Sequence, residues 1–124
     1  MRFLMVHRLD ESKPDAYAPS AEVVAGVGRM IGEMTKAGVL LAAEGVLPSS
    51  TGARVRTSGG KRTVTDGPFT EAKEVIGGFA LLQVRSKEEA VEWAARFAEV
   101  IGDVEVEVRQ VAERSDFDPK AAPA

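Results

Sequence analysis

The sequence predicts an α+β domain, and three features of the chain predict it. Two stretches, Arg2 to Leu9 and Val75 to Arg85, are apolar on both faces, as the central strands of a sheet are. Two others, Ser20 to Ala37 and the one opened by Ser86, repeat apolar residues at spacings of three and four, as helices packed along one stripe do. The patterns run β-α-β, then a hairpin, then β-α-β. That order is the split βαβ of a ferredoxin-like fold with an inserted β-hairpin. Its antiparallel sheet has the first and third core strands side by side in the middle and two helices on one face.

Each element has its own signal. Arg2 to Leu9 is rich in Phe, Leu, Met and Val, and Asp10 to Pro19, with two prolines, is a loop. In the first helix Val23, Val24, Val27, Met30, Ile31 and Met34 form the apolar stripe. Ser20 caps its start and Gly38 ends it. Gly26, Gly28 and Gly32 each weaken the helix, which suggests a close approach by the sheet. Val39 to Leu47 is the second strand, broken by Pro48 to Gly52. Ala53 to Thr57 and Lys61 to Thr65 flank Ser58-Gly59-Gly60 and read as a hairpin. Asp66-Gly67-Pro68-Phe69 is a turn, and Thr70 starts a short helical turn through Glu74. After the strand from Val75, Ser86-Lys87-Glu88-Glu89 is a capping box with Glu89 placed to reach the Ser86 amide. The helix it opens buries Ala90, Val91, Ala94, Phe97 and Ala98, with Trp93 at the edge of the stripe. Val104 to Val111 alternates, with Val104, Val106 and Val108 on one face. The domain is placed at residues 1–112, and 113–124, with two prolines, reads as a flexible tail.

Two helices cover only one face of such a sheet. The other face carries apolar side chains from the two central strands and needs a partner, which a second copy packing sheet against sheet supplies. A homodimer is therefore expected. The 124 residues suit one core, and a hydrophobic fraction of 44% with 28% charged residues is that of a soluble globular protein. A net charge of −3, with no basic run, disfavours nucleic acid. The absence of cysteine excludes disulfides, thiol catalysis and thiolate metal sites. No apolar run is long enough for a membrane, and the start is too soon interrupted by charge for a signal peptide, so a cytoplasmic protein is expected.

The stretch Asp66-Gly67-Pro68-Phe69-x-Glu71-x-Lys73-Glu74, followed by Gly77-Gly78-Phe79, resembles the signature of the YCII-related family in its DGPF-motif branch. The likeness extends through Lys36 to Val55 and Glu105 to Val111, covering nearly the whole chain before the tail. The resemblance implies a ferredoxin-like fold in a dimeric α/β-barrel arrangement. It implies little about activity. The wider group includes proteins proposed to use a His/Asp pair and a branch with a dehydrochlorinase-like role, and DGPF branches often accompany extracytoplasmic-function sigma factors. Where the His-bearing branch has its imidazole in the first helix, this chain has Val27-Gly28-Arg29.

His7 is the only histidine, so a two-His metal site within one chain is impossible. The predicted topology brings its strand end beside the start of the strand at Val75, near the DGPF turn. His7 and Asp66 are thus candidates for a base oriented by a carboxylate. Alternatively, Asp66 caps its own turn and His7 fills a position at the dimer interface. Glu44 stands in an apolar run, where a carboxylate needs a partner such as Arg8, Arg54 or Lys73. Phe69 plugs the core or lines the mouth of a pocket. No metal or cofactor motif is present, and Gly26-x-Gly28-x-x-x-Gly32 lies inside a helix. Two main functions are expected from these residues: a small-molecule-binding or regulatory dimer with a pocket between sheet and hairpin, lined by His7, Glu44, Asp66 and Phe69, or a small acid/base enzyme. A protein partner linked to a sigma factor is a third.

Overall fold

The computed structural model describes residues 1–117. Six strands and two helices follow one another as β1 (Arg2–Leu9), α1 (Ala21–Lys36), β2 (Leu40–Gly45), β3 (Ala53–Ser58), β4 (Lys61–Asp66), β5 (Val75–Gln83), α2 (Lys87–Ile101) and β6 (Val106–Gln110). Four strands form an antiparallel sheet in the order β2-β5-β1-β6, so the two doubly apolar strands are indeed its centre. β3 and β4 form a separate two-stranded ribbon.

Alternation along the strands sorts the side chains. Phe3, Met5, Ala80 and Leu82 face the helices and form the core with Met30 and Met34 of α1 and Ala90 and Ala94 of α2. Val106 and Val108 pack against this core from β6, as the alternating pattern predicts, and Trp93 packs at its edge. Leu4, Val6, Phe79 and Leu81 face the other way, on the side that no helix covers. They are half-buried in the single chain.

The ends of the elements follow the capping chemistry with one change. The hydroxyl oxygens of Ser20 and Ser86 accept from the amides of Val23 and Glu89. The returning bond of the second box differs from expectation, because Glu89 accepts from the backbone and guanidinium of Arg85 rather than from the Ser86 amide. The hairpin turns on Gly59 and Gly60, both at positive φ (55° and 79°), as a two-residue turn matching the twist of its strands requires.

Three expectations need correction. Gly26 does mark a close approach, but by α2: a Cβ there would lie 2.6 Å from Cγ1 of Val100, while Gly28 and Gly32 face open space. Thr70 to Glu74 forms no helix. One bond, from the Ala72 amide to the Phe69 carbonyl (3.0 Å), closes a single turn, since so short a segment cannot offset the cost of helix nucleation. Val91 is exposed, because α2 turns only its Ala90–Ala94–Phe97 edge toward the sheet. Beyond the last strand Glu113 is paired with Arg2 (2.8 Å), and Arg114–Phe117 is a 3-10 turn. The rest of the predicted tail lies outside the described residues.

Candidate functional site

α1 touches the sheet through Met30 and Met34 and leaves a gap along its first two turns. Val23 and Val27 line that gap half-buried, and Val24 borders it exposed. The result is a cavity of about 730 Å³ between α1, the sheet and the Asp10–Pro19 loop, within the range of small-molecule sites. Its inner wall includes Met5, Ala43, Ala80, Phe97 and Val106. It therefore lies on the helix side of the sheet, not between sheet and hairpin.

His7 is the polar group in that wall. β1 and β5 slip register between His7 and Arg8, so that His7 opposes Gly78 and Gly77 is the extra residue. The imidazole lies over these two glycines: a Cβ on Gly77 would fall 2.7 Å from Nε2, and one on Gly78 would fall 2.9 Å from Cε1. Its other side meets Phe97, ring centroids 5.5 Å apart. Burial pushes the His7 pKa below its ordinary value, favouring the neutral ring. No hydrogen bond to a described residue offsets this, which leaves the ring free to accept or donate toward the cavity.

The other predicted residues are divided. Arg8 borders the cavity, but its guanidinium is taken by Glu107 (2.9 Å) on the uncovered side of the sheet. Glu44 also borders it. The register sets its side chain opposite Phe79, on the uncovered face, where it is exposed and not a buried partner of Arg8, Arg54 or Lys73. Asp66 ends β4 opposite Ala53, exposed, and neither it, Phe69 nor Lys73 borders the cavity. His7 and Asp66 are thus not brought together at the cavity wall.

The Asp66–Phe69 turn has a different connection to the site, which the sequence did not reveal. Gly67 passes so close to the backbone of Ser49 that any Cβ would collide with the Ser49 carbonyl oxygen. The Phe69 amide donates to Ser49 Oγ (2.9 Å), and Ser49 Oγ in turn donates to Glu11. Glu11 also accepts from the Ser49 amide and the Tyr17 hydroxyl, each at 3.0 Å. These donors, the Ser49 hydroxyl first, hold the Glu11 carboxyl below its usual range. The Asp66–Phe69 turn thereby anchors the Asp10–Pro19 loop that roofs the cavity. Phe69 itself lies under the guanidinium of Arg54 (4.0 Å to the ring centroid), and Arg54 also pairs with Glu71. No sequence pattern singled out Glu11, Ser49 or Tyr17.

The model of the YCII-related domain matches residues 1–114. The chain belongs to the YCII-related family. The uncharacterized protein R00369 of Rhizobium meliloti strain 1021 is 32% identical over 87 residues, which are 68% of this chain and 70% of that protein. Among the described residues no three His, Cys, Asp or Glu side chains are grouped to hold a metal, and no helix is long and apolar enough to cross a membrane.

Proposed function

We propose that this YCII-related protein, of the DGPF-motif branch, is a cytoplasmic homodimer of the dimeric α/β-barrel type that binds a small organic molecule in the cavity between α1 and the sheet. The observation that carries this reading is the largely apolar cavity of about 730 Å³ with an imidazole in its wall that burial pushes toward the neutral form and that no described residue hydrogen-bonds. His7 is the polar contact, and the Asp66–Phe69 turn acts on the site through Ser49 and Glu11. The uncovered apolar face of the sheet supports pairing with a second copy.

A second reading has a specific observation in its favour. A histidine pushed toward its neutral form by burial, and bonded to no described residue, is fit to take a proton from a bound substrate, which would make His7 the base of a small lyase or hydrolase. The test of both begins with a thermal-shift screen of metabolites on wild type, His7→Gln and Asp66→Asn in parallel. A ligand near a hundred times its Kd stabilises by about 2.7 kcal/mol. Hits should stabilise wild type and Asp66→Asn and lose their effect in His7→Gln. Hits lost only in Asp66→Asn would move the site to the hairpin and overturn the reading. Turnover of a hit by wild type but not by His7→Gln would establish the second reading.

A further inference from the structure

The chemistry of the cavity restricts its occupant further, an inference that rests on the cavity being a ligand site. Phe97 stands in its inner wall, backed by three thioethers, Met5, Met30 and Met34, which border the cavity from the buried core. Polarizable sulfur and a ring face together favour a flat aromatic body over a branched aliphatic one. The only ionisable group set into that wall, His7, is pushed toward its neutral form by burial, and a neutral imidazole has a nitrogen lone pair free to accept a hydrogen bond. The charges at the border are unbalanced. Asp10, Asp15, Glu74 and Asp103 stand there, Glu44 being turned to the other face of the sheet, whereas the cations are Lys13 and Arg8. Arg8 is already neutralised by Glu107 at 2.9 Å, and Asp10 is engaged by Ser12 (3.0 Å to its amide). A carboxylate or phosphate would meet three exposed carboxylates, Asp15, Glu74 and Asp103, against Lys13, the single unpaired cation of that border among the described residues. A basic nitrogen would meet complementary charge and a lone pair.

We propose that the cavity takes an aromatic amine, with its ring against Met5, Met30, Met34 and Phe97 and its nitrogen directed toward His7 and the carboxylates of the border. Acidic aromatic compounds of the same size are disfavoured by charge rather than by shape.

The experiment compares tryptamine, tryptophol and indole-3-acetate, one ring system with a cationic, a neutral and an anionic end. Binding to the full chain is followed by calorimetry and by the imidazole resonances, which His7, as the only histidine, supplies without ambiguity. Tryptamine should bind about tenfold tighter than indole-3-acetate, with tryptophol between them, and should shift the His7 signals. The double variant Asp15→Asn/Asp103→Asn should narrow the gap between amine and acid, and His7→Gln should weaken tryptamine. Indole-3-acetate binding as well as tryptamine, with the His7 signals shifted, would overturn the charge selection while leaving the cavity as a binding site. Failure of all three to move the His7 signals at millimolar concentration would overturn the cavity reading and this inference with it. Tryptamine binding that leaves those signals in place is attraction to surface carboxylates, and also counts against the proposal.

Discussion

Alanine at Gly78 would press a methyl group to 2.9 Å from both the Glu44 carbonyl oxygen and the His7 ring. The carbonyl belongs to the neighbouring strand and cannot swing away, so Gly78→Ala should destabilise by about 1–3 kcal/mol in urea unfolding. The same variant should displace the single imidazole signal. His7 itself sets a pH dependence. Its folded pKa lies below its unfolded value of 6.5, so the unfolded chain binds more protons between the two. The contribution is full above pH 6.5 and is lost as the pH falls through the folded pKa. His7→Gln should remove that slope from stability measured between pH 5 and 8. The sequence already marked His7 as the single imidazole. It gave no sign that Gly77-Gly78 is the floor beneath the ring, because that pairing depends on a bulge in register, nor that Glu44 faces away from the helices.

Between elements, Ser49 is the junction. It is only 8% exposed, its hydroxyl serves both Phe69 and Glu11, and it lies where the Asp66–Phe69 turn crosses the chain after β2. Ser49→Ala removes the acceptor of the Phe69 amide and one of three donors to Glu11, and should lower stability in urea unfolding. It should also raise hydrogen exchange in Asp10–Pro19 more than in α2. Glu11 adds a sign: a carboxyl held low by these donors stabilises above its unfolded pKa, and the contribution is lost as the pH falls through the folded one. Glu11→Gln should therefore flatten the acid limb of the stability curve. At this scale the strands and helices were readable, since apolar spacing and serine caps are local signals. The gap beneath α1 was not, because α1 carries the same stripe whether or not its first turns reach the sheet. The Ser49–Glu11 junction joins residues 38 apart in the chain, neither with a distinguishing neighbour.

For the whole molecule, the uncovered face of β1 and β5 decides the assembly. If a second copy covers Leu4, Val6, Phe79 and Leu81, Leu81→Glu should yield a folded monomer in sedimentation equilibrium where wild type sediments as a dimer. A monomeric wild type would reject the homodimer. The split βαβ order was legible because the two doubly apolar strands declared themselves central, whereas a partner subunit leaves no trace in a single chain beyond the face it covers. The β3–β4 ribbon differs from everything else in the fold. All twelve of its strand residues are exposed, including the cross-strand pair Val55 and Val64 at 66% and 57%. Because loop entropy grows only slowly with length, extra residues at Ser58–Lys61 would disturb neither the sheet nor the cavity. The tip of the ribbon is thus where relatives should vary most in length, and where a peptide epitope can be grafted without altering the body that carries His7.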